Sequence, residues 1–295
     1  MSKKPIFTGA GVAIVTPMNP DGSVNFDVYR DLIEDQIKNG TDAIIACGTT
    51  GESSTLDHEE HVEVIRVAIE QTAGRVPVIA GTGSNDTAYC IKLSKEAEAL
   101  GADALLLVTP YYNKTSQRGL IAHYTAVANA VKLPIILYNV PSRTGVNILP
   151  ETVIELSKVE NIVALKQANS DFSATAQIAA GCDIDIYSGN DDQIVPILSL
   201  GGKGVISVLS NVIPRETHDI CQKWFDGDTA GSLELQLKYL ELANMLFCDV
   251  NPIPVKEAMN MLGWNCGDCR MPLYPMDDAH KAKLATTLKK YGLIK

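Results

Sequence analysis

The stretch AIIACGTTGESSTLDHEEHVEVIRVAIEQTAGRVPVIA, residues 43–80, is decisive for the fold because it holds one complete strand-helix-strand unit. Its two apolar runs, 43–47 and 76–80, are rich in aliphatic and β-branched residues and are bounded by turn residues, as buried strands are. Between them, Asp57 and Glu60 have the spacing of a capping box, and apolar residues then recur at helical spacing. The stretch therefore predicts a helix beginning near Asp57 between two strands.

Runs of the same kind recur eight times, separated by segments of helical length. They cover residues 11–16, 43–47, 76–80, 104–109, 134–139, 162–166, 185–188 and 204–209. Continuous apolar strands suit a parallel sheet covered on both faces, either a closed barrel or a doubly wound open sheet. The open sheet normally carries a glycine fingerprint after its first strand, but here that strand ends in VTPMNPDG, and GTGSND at 81–86 matches only partly and after the third strand. An α/β fold is predicted, a (β/α)8 TIM barrel.

The strand signals stop after Pro214, and helices are predicted over 215–225, 232–247, 254–262 and 277–291. With no low-complexity linker in the chain, the prediction is a catalytic barrel over 1–226 and a C-terminal helical domain over 227–295 packed on it.

Composition narrows the class of protein. The chain has 295 residues, 25 basic against 35 acidic, and a formal charge of −10, so nothing marks a nucleic-acid interface. No apolar run reaches the roughly 18 residues of a membrane span, and MSKKPIFTGA lacks the apolar core of a signal peptide. An odd number of cysteines, 7, in a chain of this length favours a reducing compartment. A cytoplasmic location is expected.

Lys166 is the most informative residue, because it alone among the lysines lies inside a predicted core strand. Catalytic groups of such barrels lie at the carboxyl ends of the strands, where a desolvated lysine amine can attack a carbonyl. Tyr138 ends the neighbouring strand and can serve as proton donor and acceptor. The structural alternatives are a lysine paired with a buried carboxylate and a tyrosine bonded at the barrel rim.

Two further loops offer groups for binding carboxylates. GTTG at 48–51 supplies backbone N–H groups and hydroxyls at a turn, and Arg143, in PSRTG, can bind a carboxylate bidentately. Ordinary turn chemistry and a solvated arginine are the alternatives.

The sequence argues against a metal or redox site. HEEH at 58–61 lacks the i, i+4 spacing of a zinc helix, and His123, His218 and His280 are isolated. CGDC at 266–269 is a lone CxxC pair. No metal or organic cofactor is expected.

Together these residues carry a family resemblance that extends from about residue 5 to 290. The motifs are GTTGES (48–53), VTPYYNK (108–114), LYNVPSRTG (137–145), ALKQA (164–168), YSGNDD (187–192), GVISV (204–208) and NPIPVK (251–256). They resemble the dihydrodipicolinate synthases. This family belongs to the class I, Schiff-base-forming aldolases with (β/α)8 barrels, and it condenses pyruvate with aspartate 4-semialdehyde in lysine and diaminopimelate biosynthesis.

The resemblance implies a role for each matching residue. It implies catalytic roles for Lys166, Tyr138, Thr49 and Tyr112, and substrate binding by Thr50, Arg143, Gly189 and Ile206. In this family the tyrosine at the position of Tyr112 reaches in from a neighbouring subunit, which implies a homotetramer built from two pairs. The runner-up is N-acetylneuraminate lyase or another sugar-acid aldolase, which lacks the arginine of PSRTG. A non-catalytic keto-acid sensor is the alternative from another class, and the presence of Lys166 and Tyr138 speaks against it.

The resemblance also implies an effector site. In feedback-inhibited members, lysine binds near residues matching Ser53, Ser54, His58, His61, Asn85, Tyr89 and Tyr111. Tyr89 stands where those members have a glutamate that holds the effector, so inhibition by lysine is doubtful here.

Overall fold

The computed structural model describes residues 5–295; residues 1–4, part of the stretch inspected for a targeting signal and of the predicted barrel domain, lie outside it. Its strands are β1 (Gly9–Ala13), β2 (Ala43–Ala46), β3 (Val78–Gly81), β4 (Ala104–Val108), β5 (Ile135–Asn139), β6 (Ile162–Gln167), β7 (Asp185–Ser188) and β8 (Gly204–Ser207). All eight coincide with predicted runs. The largest difference is at β1, which starts and ends earlier than residues 11–16, because the buried run continues into a loop where the Val15 N–H donates to Asn211 Oδ1 at 3.1 Å.

Helices follow the strands in alternation. They are α1 (Phe26–Lys38), α2 (His58–Thr72), α3 (Thr87–Leu100), α4 (Gln117–Ala130), α5 (Pro141–Thr144), α6 (Pro150–Leu156), α7 (Phe172–Gly181), α8 (Ile194–Ser199), α9 (Pro214–Phe225), α10 (Thr229–Met245), α11 (Ile253–Met261) and α12 (Asp278–Lys290). Helix α2 begins as predicted: Asp57 Oδ1 accepts the Glu60 N–H at 2.8 Å, and Glu60 Oε2 accepts the Asp57 N–H at 3.1 Å. The four C-terminal helices lie within a few residues of their predicted bounds.

The eight strands pair in parallel and in sequence order, and β8 returns to β1 to close the barrel. Closure depends on glycine: Gly9 pairs with Gly204, which has a φ of +145°, and a Cβ on Gly204 would lie 1.8 Å from the Gly9 carbonyl oxygen. The predicted (β/α)8 barrel is confirmed. The GTGSND segment leads from β3 into α3, where Asp86 accepts the Ala88 N–H as an ordinary helix N-cap.

Two apolar layers hold the barrel together. The barrel interior is filled by side chains such as Ile45, Leu106 and Ile136, while a larger cluster packs the outer faces of the strands against the helices. Phe7 stacks on Tyr187 at 4.4 Å between ring centroids, and the Tyr187 hydroxyl donates to the Phe7 carbonyl at 2.6 Å. The interior is thus a packed core, and reactive groups are left to the strand ends.

Helices α10, α11 and α12 form the C-terminal extension, which contacts the loops that follow β1 and β2. The Arg270 guanidinium, in the segment between α11 and α12, donates to the carbonyls of Gly22 and Thr55 at 2.8 and 2.7 Å and pairs with Glu60. The extension therefore reaches the end of the barrel that carries the predicted chemistry. Among residues 5–295, no helix is both long and apolar enough to cross a membrane.

Candidate active site

Lys166 and Tyr138 lie side by side on neighbouring strands. They are register partners between β5 and β6, and each is only 6% exposed. Lys166 Nζ lies 4.3 Å from the centroid of the Tyr138 ring. Tyr138 packs with Ala164 in the barrel interior, and Lys166, two residues on, shares that face. The Lys166 amine is therefore held at the carboxyl end of the barrel, where it is shielded from solvent and lies next to the Tyr138 side chain.

Loop 48–52 places two threonines at the same end of the barrel. It is a tight turn in which the Gly51 N–H donates to the Gly48 carbonyl at 3.1 Å. Thr50 is buried, whereas Thr49 is half-buried. A small cavity of about 30 Å³ is lined by Thr49 and Tyr138, among other residues, and is the size for a single water molecule. Thr49 and Tyr138, which are both predicted to be catalytic, thus line the same cavity.

Asn251 connects the threonine loop with Arg143, and the sequence reasoning missed this role. Its Nδ2 donates to Thr50 Oγ1 at 3.1 Å, and its carbonyl accepts from Arg143 Nη2 at 3.0 Å. A hydroxyl that accepts from an amide still has its own proton to give. Thr50 is therefore left with a donor for a carboxylate. Asn251 was noted only as part of NPIPVK, since no local pattern assigns it a partner.

Arg143 lies on α5, exposed, at the edge of a cavity of about 350 Å³. The same cavity is lined by Thr49, Ser53, Ser54, His61, Tyr89 and Tyr111. One space therefore joins a predicted catalytic threonine, the predicted aldehyde-binding arginine and most of the predicted effector residues.

Tyr112, the fourth predicted catalytic residue, lines neither the cavity at Thr49 and Tyr138 nor the one beside Arg143. Its side chain is 91% exposed, and its φ of +69° is unusual for a residue other than glycine. The adjacent Tyr111 carbonyl accepts from Asn85 Nδ2 at 3.1 Å.

Gly189 and Ile206 lie beyond Lys166 in the order of the strands. The Gly189 N–H donates to the Gln167 carbonyl at 2.8 Å, and a Cβ there would lie 2.6 Å from Ala168 Cβ. Ile206 is 1% exposed in the interior of β8. Gly189 directly follows β7 and Ile206 lies near the carboxyl end of β8, and neither lines the Arg143 cavity.

Asp191, just past β7, is a buried carboxyl to which the sequence reasoning assigned no role. Its Oδ2 accepts the N–H groups of Val208 and Leu209 at 3.0 and 2.9 Å, which ties the β7 loop to the turn after β8. Burial raises the pKa of Asp191, while its hydrogen bonds and the charge of Lys166 act in the opposite direction. The strand-end position of NDD was the available signal.

Five of the predicted effector residues line the Arg143 cavity, and a sixth, His58, contacts one of them. His58 Nδ1 is 3.3 Å from the Tyr89 hydroxyl, and its Nε2 is 3.2 Å from Glu96. His61 Nε2 donates to the Gly81 carbonyl at 2.8 Å, and burial lowers the pKa of His61. The imidazoles therefore have different partners. Ser53 and Ser54 begin the short 3₁₀ turn before α2.

The cysteines are free thiols in this structure. Cys266 is fully buried and Cys269 half-buried, and burial raises the pKa of each to about 12. Thiols of so high a pKa are poor nucleophiles.

Known proteins match nearly the whole of this chain. A model of the dihydrodipicolinate synthetase family matches residues 6–291. A 4-hydroxy-tetrahydrodipicolinate synthase of Lachnoclostridium phytofermentans is 61% identical over 292 residues, 98% of this chain and 99% of that protein. A crystal structure of the enzyme from Cyanidioschyzon merolae with lysine bound has a TM-score of 0.96 at 40% identity and covers 99% of this chain and 100% of that one. A monomeric variant of a dihydrodipicolinate synthase has a TM-score of 0.95 at 41% identity, with 98% of each chain covered. These relatives give no support to the sugar-acid lyase alternative.

Proposed function

Because the chain belongs to the dihydrodipicolinate synthetase family, we propose that it condenses pyruvate with L-aspartate 4-semialdehyde to 4-hydroxy-tetrahydrodipicolinate. This lyase reaction is the first committed step of lysine and diaminopimelate biosynthesis. The observation that carries the proposal is the buried pair of Lys166 and Tyr138 at the carboxyl end of the barrel.

Lys166 acts as the nucleophile. Its neutral amine attacks the ketone carbon of pyruvate, a C–N bond forms, and loss of water leaves the imine. The protonated imine draws electrons from the methyl group, which loses a proton to give an enamine. The enamine carbon then bonds to the aldehyde carbon of the second substrate, which restores the imine. The amino group of that substrate attacks the imine carbon, the ring closes, and the Lys166 amine leaves as the C–N bond to the enzyme breaks. Tyr138 and Thr49 relay the protons. The small cavity that both residues line supports this role. No step of this route needs a metal or organic cofactor.

The carboxylates of the two substrates bind at different places. Thr50 and the backbone amides of its loop hold the carboxylate of pyruvate. The hydrogen bond from Asn251 supports this role, because it leaves the hydroxyl proton of Thr50 free to be donated. Gly189 and Ile206 line the pyruvate pocket. Arg143 receives the carboxylate of the aldehyde through a charged, bidentate contact.

Tyr112 completes the proton relay in a second copy of the chain. Its exposure supports this assignment, and so does its absence from the linings of the cavities beside Arg143 and Tyr138. The enzyme is accordingly a homotetramer of two such pairs, and it works in the cytoplasm, where its seven free cysteines stay reduced.

Lysine inhibits this enzyme only weakly, because Tyr89 offers a phenol where an effector's amino group needs a carboxylate. A titration with lysine at saturating pyruvate measures this, with Tyr89→Glu as the variant expected to gain sensitivity. Half-inhibition of the unaltered enzyme at sub-millimolar lysine contradicts the proposal.

The first test is trapping of the imine. The full chain is treated with pyruvate and borohydride and digested, and peptide mass spectrometry is expected to find the reduced adduct on Lys166. Lys166→Arg should lose the adduct, whereas Lys158→Arg, an exposed lysine on the same barrel, should keep it. Folded enzyme without an adduct refutes the mechanism, and turnover with N-acetylmannosamine in place of aspartate semialdehyde refutes the choice of substrate.

A further inference from the structure

Lys256, on helix α11 of the C-terminal extension, is buried next to the threonine loop. We propose that Lys256 is a positioning residue for pyruvate binding, acting through its ion pair with Glu52 on the loop that carries Thr49 and Thr50. The proposal rests on the proposed function. It assigns the extension a part in the chemistry of the barrel.

The ion pair between Lys256 and Glu52 is sealed from water. Lys256 Nζ lies 2.8 Å from Glu52 Oε1, and the two side chains are 2% and 1% exposed. Nζ also donates to the Asp268 carbonyl at 2.9 Å, and Glu52 Oε2 accepts the Arg270 N–H at 2.8 Å. Both carboxylate oxygens are thus bonded to groups of the extension.

Glu52 transmits these contacts to the threonine loop through its backbone. Its φ of +56° is left-handed, a conformation that a residue other than glycine keeps only when its surroundings hold it. The Glu52 N–H donates to the Thr49 carbonyl at 3.1 Å, and Thr16 Oγ1 donates to the Gly51 carbonyl at 2.7 Å. A shift at Glu52 therefore moves the threonines.

The extension contacts the loop at a second point only five residues away in sequence. Asn251 precedes α11 and donates to Thr50, and Lys256 on α11 binds Glu52. The two contacts fix the loop from one rigid element. A merely stabilising role would be served as well by apolar side chains, since a buried ion pair gains little over a packed apolar pair. Directional bonds to Glu52, in contrast, fix where Thr50 lies.

Neither Lys256 nor Glu52 lines the cavities beside Arg143 and Tyr138. The pair therefore acts on substrate through Thr50, and its loss should affect pyruvate more than the aldehyde, whose carboxylate is assigned to Arg143. This difference separates positioning from general stability.

The test uses the double variant Glu52→Gln/Lys256→Met in the full-length enzyme, because removal of both charges leaves no unpaired ion in the core. We expect its KM for pyruvate to rise about tenfold or more, its KM for the aldehyde to stay within about threefold, and kcat to fall less than kcat/KM for pyruvate. The matched control is Glu241→Gln/Lys290→Met, which removes an exposed ion pair of the same extension. It should leave both KM values unchanged.

A folded double variant with an unchanged KM for pyruvate overturns the proposal. If the double variant does not fold, Glu52→Asp decides, because it keeps the charge and shortens the arm by one methylene. A raised KM for pyruvate in Glu52→Asp supports positioning, and an unchanged one overturns it. Borohydride trapping on the unaltered enzyme keeps the two questions apart. If no adduct forms on Lys166, the proposed function is refuted. If the adduct forms but the variants have an unchanged KM for pyruvate, only the role of Lys256 is refuted.

Discussion

The hydrogen bond from Asn251 to Thr50 leads to the most direct prediction. In Asn251→Asp the side chain has nearly the same shape but no donor, so Thr50 Oγ1 must give its proton to the new carboxylate. The carboxylate of pyruvate then loses the hydrogen-bond donor at Thr50. It is also repelled by the negative charge of the new aspartate. A hydrogen bond to a charged group contributes about 1.5–3 kcal/mol. Since about 1.4 kcal/mol is tenfold in affinity, the KM for pyruvate should rise about ten- to hundredfold.

Asn251→Ala serves as the graded comparison. It removes one neutral hydrogen bond of about 1 kcal/mol and leaves the Thr50 hydroxyl free to rotate, so we expect a rise of about fivefold in the KM for pyruvate. The free energy of unfolding of Asn251→Ala should change little. The buried Asn251 Oδ1 has no hydrogen-bond partner, so removal of this atom offsets part of the packing that is lost with the side chain.

The assay is the initial rate with pyruvate varied at saturating aldehyde, together with the pyruvate concentration that half-saturates borohydride trapping. Asn244→Asp, the same chemical change at an exposed position of α10, is the control. A wild-type KM for pyruvate in folded Asn251→Asp would refute the reasoning, because it would mean that the Thr50 proton does not serve the substrate.

Three further outcomes follow from other contacts. Arg143→Ala should raise the KM for the aldehyde about tenfold or more, by loss of a charged hydrogen bond, and leave that for pyruvate unchanged; steady-state kinetics with each substrate varied checks this. The hydrogen bond to Asp42 raises the pKa of His218, so this pair stabilises the fold fully below the unfolded pKa of about 6.5 and loses that contribution as pH rises through the higher folded value. The Tm advantage of the unaltered chain over His218→Gln should therefore shrink as the pH rises above about 6.5, and a difference that stays constant with pH would contradict this. Gly204→Ala should fail to close the barrel, because its Cβ would overlap the Gly9 carbonyl; a native circular dichroism spectrum and Tm would show this wrong.

Much of the fold was predictable because its signals are local. Each strand is a short apolar run, and the start of α2 is encoded by Asp57 and Glu60, three residues apart. Lys166 stands out for the same reason, since a charged residue inside an apolar strand is visible without any partner. The predicted and observed bounds differ most at β1. The apolar run there reflects burial, whereas the bounds of the strand are set by its pairing with β2 and β8.

What the residues determined by themselves was the order of strands and helices, the barrel and the position of the reactive amine. Tertiary structure decided which side chains orient that amine's neighbours. Asn251 and Thr50 are 201 residues apart in the chain, and Lys256 and Glu52 are 204 apart. Asp191 likewise meets Val208 and Leu209 only when β7 and β8 are adjacent. Such contacts have no period and no local spacing, because a hydrogen bond requires only that two atoms come within about 3 Å in the folded chain.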